Sequence, residues 1–255
     1  MEATVYDTVP EYELVLYHAW SSSASRRVRF CLEEKGLAYQ GHVIDLFKLE
    51  QHSDEYRKLN PNGMVPTLIH QNRAVIESTV INEYLDAVFP AHSLRPAEPF
   101  ARAQMRVWTK HADEVVIRAF QVASWNWVMG PIATDWSDKE LEQNLARIPT
   151  PNRREDWRRM ARQPFTDGEI EFAVAQIKRT LEMMEDSLRH SPWLAGETFS
   201  FADTNMAPYL VRMNEHARYG LFLKDYSRVE DWWVRVQARP AFGRAKIEPA
   251  LQSSS

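Results

Sequence analysis

The hydrophobic pattern of this chain changes its period near residue 90, and this change limits the fold more than any other feature. Before that point, short apolar runs alternate with amphipathic segments in the order β-α-β-α-β-β-α. Beyond residue 100, apolar residues recur only at steps of three and four, and no segment has a convincing strand pattern. The sequence therefore predicts a small α/β unit followed by an all-α unit.

The first unit contains a βαβ segment, a hairpin and a closing helix. This order gives a mixed four-stranded sheet with helices on its faces. Ser53 is a candidate cap for the second helix, and Gly36 is a natural end for the first. We predict strands at 14–17, 42–45, 67–70 and 74–76, and helices at 28–36, 53–58 and 78–88.

The two units are separated by a segment that contains three prolines between residues 90 and 100 and lacks periodicity. We therefore place the first domain at 12–90, a linker at 91–99 and the helical domain at 100–250. Pro149 and Pro151 break the helical pattern. The segment 153–162, rich in arginine, is interpreted as a solvated face or a dimer contact. Further helices are expected from 101 onward, at 137–147, at 167–188, from a Ser200 cap with Asp203 reaching back to it, and at 229–238.

The charge and cysteine content exclude several classes of protein. The formal net charge is −4, from 35 acidic and 31 basic residues, so neither nucleic acid nor an anionic membrane is expected as a partner. Cys31 is the only cysteine in the sequence, which excludes an intrachain disulfide and a zinc site built on several thiolates. No metal signature and no run long enough to span a membrane are present. We expect a cytoplasmic protein without a metal.

Three segments could carry chemistry, although each also has a purely structural interpretation. Ser21–Ser25 is a turn that leads into a helix N-terminus, where a hydroxyl and backbone N–H groups could stabilise a thiolate; it could equally be a capped turn. Val65-Pro66 could present backbone groups to an extended peptide, or could simply begin a strand. Glu77-Ser78 could bind the zwitterionic end of an amino acid, or could be a helix cap.

Taken together, the order and spacing of these segments resemble the cytosolic glutathione transferases. The resemblance lies in Ser22–Arg29 (SSASRRVR), in Glu34-Lys35-Gly36-Leu37, in the motif Asn60-Pro61-x-Gly63-x-Val65-Pro66-x-Leu68, and in Glu77-Ser78-x-x-Ile81. It implies a thioredoxin-like N-terminal domain, an all-α C-terminal domain, glutathione as co-substrate and a homodimer. It also implies that Pro66 follows a cis peptide bond.

A narrower likeness links the chain to bacterial glutathione-dependent β-aryl etherases of lignin breakdown. It lies in Lys48-x-Glu50-Gln51-His52-Ser53-Asp54, in Ser93–Ala97 (SLRPA) and in Met105–Lys110 (MRVWTK). The catalytic turn departs from that subgroup, because it is rich in serine as in the zeta and phi classes. Their catalytic serine falls on Ser22, so we rank Ser22 first, Ser23 second and Ser25 third as the group that activates the thiol.

The resemblance also assigns the remaining site residues. The family's glutathione site maps onto Met64, Val65, Pro66, Glu77 and Ser78, with Lys48 and His52 as further candidates for the glycyl end. An aromatic, methionine-lined acceptor pocket would suit a planar aromatic electrophile. Trp125 and Trp127 cannot both face it. The predicted pocket residues are Trp20, Trp108, Phe120, Trp125, Met213 and His216.

Three functions follow from this pattern. The first is attack of the glutathione thiolate on a β-aryl ether, with release of a phenol. The second is a zeta- or phi-like transferase that acts as isomerase, dehalogenase or general conjugating enzyme, although Ala24 replaces the cysteine usual in the zeta class. The third is a glutathione-binding stress protein without catalytic activity.

Overall fold

The fold of this chain is described for residues 13–215 and 219–247 by a computed structural model. A four-stranded sheet has the order β2-β1-β3-β4. β1 and β2 are parallel, whereas β3 is antiparallel to both β1 and β4. The predicted fold class is confirmed: a small mixed sheet with helices precedes a helical region. The strands are β1 (Leu14–His18), β2 (Gln40–Val43), β3 (Thr67–His70) and β4 (Arg73–Ile76).

Twelve α-helices lie within the described residues. A π-helical segment, Ala112–Val116, joins the fourth and fifth of them. The helices are α1 (Ser23–Lys35), α2 (Asp54–Leu59), α3 (Ser78–Val88), α4 (Pro99–His111), α5 (Ile117–Val128), α6 (Gly130–Thr134), α7 (Asp138–Arg147), α8 (Pro151–Arg162), α9 (Asp167–Ser187), α10 (Phe201–Glu215), α11 (Ser227–Gln237) and α12 (Pro240–Arg244).

Helix α1 connects the sheet to the helical region. Its Gly36 cap adopts φ 65°, the left-handed conformation that glycine tolerates. α1 packs against α3 on one side and α10 on the other, and one continuous apolar core runs from Leu16 and Phe30 into Trp108 and Met206. The domain limits given above, 12–90 and 100–250, remain predictions. Of the residues within them, 12, 216–218 and 248–250 lie outside the described ranges.

Several elements differ from the expectation, including the start of α1 and the unpredicted short helices α6 and α12. Strand β2 begins and ends two residues earlier than predicted, since it is an edge strand whose side chains alternate in exposure and carry little apolar signal. Helix α8 was not predicted, because Pro151 was interpreted as a break. Pro151 instead lies in the first turn of α8, where a backbone N–H has no partner within the helix and its absence carries no cost.

A second apolar cluster packs α6, α7 and α8 onto the C-terminal end of α5. Its centre is the fully buried Trp157, which contacts Trp125 and Trp136 at ring-centroid distances of 5.7 and 5.3 Å. The Ser200 cap is confirmed, since its N–H donates to Asp203 Oδ2 at 2.9 Å. Asp203 also accepts from Trp232 Nε1 at 2.8 Å, which ties α10 to α11.

Candidate functional site

The strand register brings the three candidate segments to one end of the sheet. Tyr17 pairs with Thr67, so the turn after β1 lies beside the loop that enters β3. Thr67 also pairs with Ile76, so Glu77 follows β4 next to Pro66. The first and last of these segments are more than fifty residues apart in the sequence, and all three lie at the same end of the sheet.

The serine-rich turn places three hydroxyls in different environments. Ser22 caps α1, and its Oγ accepts from Ser25 N at 3.2 Å. This leaves the Ser22 hydroxyl hydrogen available to another acceptor. Ser23 Oγ is buried and lacks a hydrogen-bond partner among the described residues. Ser25 is fully buried, and its Oγ accepts from Ala19 N at 3.2 Å.

The loop before β3 is held by helix α2. Tyr56 Oη and Asn60 Nδ2 donate to the Met64 carbonyl at 2.7 and 2.8 Å. Gly63 adopts φ 60° and lies so close to His52 that a side chain would collide with its ring. The Val65-Pro66 bond is cis, as the resemblance implied.

Glu77 and Ser78 connect β4 to α3. Glu77 adopts φ 69°, a conformation that residues other than glycine seldom take and that is frequent at functional sites. Ser78 Oγ accepts from the buried Arg27 guanidinium at 3.4 Å. Arg27 also donates to Asp113 in the π-helical segment and to Tyr209 on α10. This network fixes the position of Ser78 at the start of α3.

A cleft opens between the serine turn and the helices α5, α8 and α10. Phe120 and Trp125 lie along one wall, and Phe120 stacks on Tyr209 with ring centroids 5.4 Å apart. Trp127 faces away from the cleft and packs on Tyr219. The polar residues of the lining are Ser21, Ser22, Ser23, Gln51, His52, Gln121, Arg153 and Arg212, and its apolar part includes Met64, Val65, Ile117, Val128, Met129 and Trp157.

Several predicted residues lie elsewhere. Trp20 is outside the cleft because its ring is held between Arg29, at 4.7 Å, and His18. Trp108 and Met213 are buried in the main core, where their helical spacing places them with other apolar side chains. The prediction that these three line the acceptor pocket is therefore wrong. His216 lies outside the described residues.

Two further candidates are also corrected. Lys48 is mostly exposed, and its Nζ pairs with Asp45 at 3.4 Å instead of facing the cleft. Ser25 faces the backbone of its own turn rather than the cleft. Neither residue lines the cleft.

His52 and its neighbour Gln51 occupy the part of the cleft nearest the loop before β3. Both ring nitrogens of His52 and Oε1 of Gln51 are buried without a hydrogen-bond partner among the described residues. Burial, reinforced by the nearby Arg153, Arg147 and Arg57, lowers the pKa of His52 to about 4. A neutral imidazole that lacks a protein partner is suited to a polar ligand group.

The sequence interpretation missed the basic side of the cleft. Arg153 and Trp157 belong to the segment that was interpreted as a solvated face, yet both line the cleft. Arg212 and Gln121 were not singled out either, because nothing in their local patterns separates them from ordinary helix residues. The spacing of Arg153 and Trp157, four apart on one helix face, was the available signal.

Neither a metal centre nor a membrane span is found in the described part of the chain. Within residues 13–215 and 219–247, no three side chains of the metal-binding types lie together. Over the same ranges, every helix is too short or too polar to cross a bilayer.

The fold is that of a glutathione S-transferase, and the comparisons place the chain in that family. Residues 21–88 match the model of the glutathione S-transferase N-terminal domain, and residues 152–233 match that of the C-terminal domain. The chain belongs to the glutathione S-transferase family, whose members use glutathione as substrate, and it is an enzyme of that class.

Among its relatives, Protein LigF of Sphingobium sp. is 36% identical over 252 residues, which cover 94% of this chain and 96% of LigF. The crystal structure of the beta-etherase LigF matches with a TM-score of 0.81 at 35% identity, covering 91% of this chain and 98% of that one.

Two further relatives are less similar to this chain. A probable glutathione S-transferase of rice, GSTF1, is 29% identical and covers 89% of this chain and 93% of its own. A probable maleylacetoacetate isomerase of Vibrio cholerae is 26% identical, covering 92% of this chain and 96% of its own.

Proposed function

We propose that this enzyme uses the glutathione thiolate to cleave a β-aryl ether next to a ketone. The sulfur attacks the carbon that carries the aryloxy group. A C–S bond forms, the C–O bond breaks, and its electron pair leaves with the aryl oxygen as a phenolate, which is then protonated by water. The single observation that carries this proposal is the 36% identity to LigF along nearly the whole chain.

The site geometry supports the thiolate half of this reaction. Ser22 stands at the N-terminus of the 13-residue helix α1, where the helix dipole favours a negative charge. Its hydroxyl can donate to a sulfur in the cleft, which lowers the pKa of the thiol. Ser23, buried and without a partner, is the second candidate.

The remaining predicted residues fit an extended tripeptide at the end of the sheet where β1 ends and β3 begins. We assign the γ-glutamyl end to Glu77 and Ser78, and the cysteinyl backbone to Val65, with Met64 and Pro66 shaping the strand entry. His52 and Gln51, whose polar atoms lack partners among the described residues, are proposed for the glycyl end. Catalysis then depends mostly on supplying and orienting the thiolate.

The acceptor half of the cleft supports an aromatic substrate. Phe120 and Trp125 provide apolar ring surfaces on one side, with Tyr209 packed against Phe120 and the buried Trp157 against Trp125. Such walls bind a planar ring by stacking and by burying apolar area.

A zeta- or phi-like transferase is the second candidate. The serine-rich turn favours it, as do the relatives from rice and Vibrio cholerae. In this alternative the same thiolate would attack a different electrophile, and Ser22 would keep its role.

The test is phenol release from an α-aryloxy ketone in the presence of glutathione, for the wild type and for Ser22→Ala. We expect release by the wild type. In Ser22→Ala we expect the bound thiol to have a pKa higher by about 1–2, because a hydrogen bond to a charged group is lost. The thiolate absorbance of the binary complex, titrated with pH, gives this value directly.

Ser137→Ala is the matched control, because Ser137 caps α7 as Ser22 caps α1 but lies away from the cleft. Both variants should lose about 1 kcal/mol of stability with the cap, and only Ser22→Ala should change the thiol. Glutathione binding without phenol release would favour the second candidate or a stress protein. An unchanged thiol pKa would transfer the role to Ser23 or to backbone N–H groups.

A further inference from the structure

Two arginines from different helices line the cleft without an acidic partner among the described residues. Arg153 lies on α8, where its guanidinium is stacked 4.7 Å above the Trp125 ring. Among the described residues it makes neither a hydrogen bond nor an ion pair. Arg212 lies on α10, and its Nη2 donates to Ser124 Oγ at 3.0 Å. Its Nε is buried and lacks a partner among the described residues.

The nearby carboxylate does not neutralise this pair. Asp156 accepts two hydrogen bonds from Arg118, at 2.9 and 2.8 Å, and one from Gln121 at 2.9 Å. The described residues that line the cleft include no aspartate and no glutamate. The local charge is therefore positive, with Asp156 already engaged by Arg118.

The electrostatic cost of this arrangement is visible at Arg153. Burial, together with repulsion from Arg118 and Arg212, lowers its pKa to about 10 despite the opposing effect of Asp156. The side chain still carries its charge at neutral pH. Two like charges that line the same half-buried cleft repel each other, which is unfavourable unless an anion binds near them.

The supports of the two guanidinium groups are rigid. Ser124, which receives the Arg212 hydrogen bond, is fully buried and donates its own hydroxyl to the Phe120 carbonyl at 2.6 Å. The Trp125 ring beneath Arg153 is itself packed against the buried Trp157. Donors that are fixed before a ligand arrives stabilise charge without further reorganisation.

We propose that Arg153 and Arg212 form an anion subsite for the acceptor substrate, which takes a negatively charged oxygen of an aromatic acid or phenol. This inference rests on the proposed function, since it concerns the acceptor half of the same cleft. The oxygen has two possible sources. It is either a permanent carboxylate on the aromatic ring or the aryl oxide that forms when the C–O bond breaks. In both cases the arginines donate hydrogen bonds and keep their protons.

The experiment uses two α-aryloxy ketones that differ only in the leaving phenol, one with a ring carboxylate and one with its methyl ester. The enzymes are the wild type, Arg153→Gln, Arg212→Gln and the charge-keeping Arg153→Lys. Arg158→Gln, which removes an exposed arginine of the same helix α8 that pairs with Glu155, is the matched control. KM and kcat are measured separately for each acceptor and for glutathione.

The two sources give different patterns. For a permanent carboxylate, each glutamine variant should raise KM for the acid by about tenfold or more and leave the ester unchanged. For the departing aryl oxide, kcat should fall about tenfold or more for both acceptors. Arg153→Lys should recover part of the loss in either case, and Arg158→Gln should match the wild type.

Three results would overturn the subsite. These are unchanged constants for both acceptors in both glutamine variants, a rise in the KM of glutathione alone, and an equal loss in Arg158→Gln. The second result would assign the arginines to the glycyl carboxylate of glutathione instead, through the neighbouring His52. Melting temperatures of all variants separate these outcomes from misfolding.

Failure of the proposed function is distinguishable from failure of the subsite. If the wild type releases no phenol, calorimetry on the glutathione-loaded protein still compares the carboxylated phenol with its methyl ester. The subsite predicts tighter binding of the acid in the wild type, and a preference that disappears in Arg153→Gln and Arg212→Gln. Equal affinity of the two phenols for the wild type would contradict it.

Discussion

At the scale of single residues, the site depends on positions whose conformation only certain side chains allow. Gly63 is one of them, because it combines a positive φ with a close approach to another residue. A Cβ at this position would lie 2.6 Å from His52 Nδ1 and 3.1 Å from the Gln51 carbonyl oxygen. The loop that presents Val65 can therefore pack against His52 only if residue 63 has no side chain.

Gly63→Ala should consequently weaken glutathione binding. Its control is Gly36→Ala, because Gly36 has nearly the same φ, 65°, and nothing within 4 Å of an added Cβ. Both substitutions introduce left-handed strain of about 1–2 kcal/mol, measurable by chemical denaturation. Only Gly63→Ala should raise the Kd for glutathione, as determined by calorimetry. Equal Kd values for the two variants would show that the contact with His52 does not shape the site.

At the scale of secondary-structure elements, an ion pair between a buried arginine and a partly exposed aspartate connects the two halves of the molecule. Arg27 on α1 has no exposed side-chain surface, and it pairs with Asp113 in the π-helical segment. Asp113 also accepts from Thr79 on α3 at 2.7 Å. Three elements and the Ser78 hydroxyl thus share one charged network, and irregular helical turns of this kind are frequent at functional sites.

Asp113→Ala should therefore be strongly destabilising. It leaves a buried guanidinium without its counter-charge, at a cost of about 3 kcal/mol in the free energy of unfolding. Asp138→Ala, which breaks the more exposed pair with Arg162, should cost at most about 1 kcal/mol. Urea denaturation of both variants measures the difference, and similar costs would mean that Arg27 finds another partner. Asp113→Ala should also raise the KM for glutathione, since Arg27 supports Ser78.

Local patterns predicted most elements, because propensity and packing favour the same structure there. Helix α3 begins and ends where its apolar spacing indicates, and the Ser200 cap was evident from residue types alone. Strand β2 was displaced because an edge strand carries half the apolar signal of a central one. Helix α8 was missed because Pro151 can either break a helix or begin one, and only tertiary packing decides between them.

The candidate site was predictable to a more limited extent. The residues at the sheet edge follow from motif spacing, which the strand register then brings together. The acceptor wall depends on how α5, α8 and α10 pack, which is a tertiary property. Phe120 and Trp125 therefore line the cleft, whereas Trp20 does not, and Arg153 was overlooked.

At the scale of the whole molecule, two buried histidines connect folding to pH. Burial, together with neighbouring positive groups, lowers the pKa of both His18 and His52 from 6.5 to about 4. The folded protein therefore resists protonation between these values, whereas the unfolded chain accepts it. Stability must fall as the pH decreases through this window, and the contribution is fully present above it.

His52→Gln should flatten this dependence. Between about pH 7 and about pH 5, the wild type should lose about 2 kcal/mol more stability than the variant. The reason is that unfolded wild type binds a proton at His52 that the folded protein does not, and the variant lacks this site. His190→Gln, at an exposed position, should follow the wild type. Denaturation curves at the two pH values measure the effect. Parallel losses in the wild type and His52→Gln would show that His52 accepts a proton freely in the folded state.

The central claim is that one thiolate displaces one aryl oxide from carbon in this cleft. It is tested most directly by the masses of the products from an α-aryloxy ketone whose ether oxygen carries an isotopic label. We predict one glutathione thioether for every phenol, with all of the label in the phenol. Phenol without thioether, or label retained in the ketone product, would contradict the account.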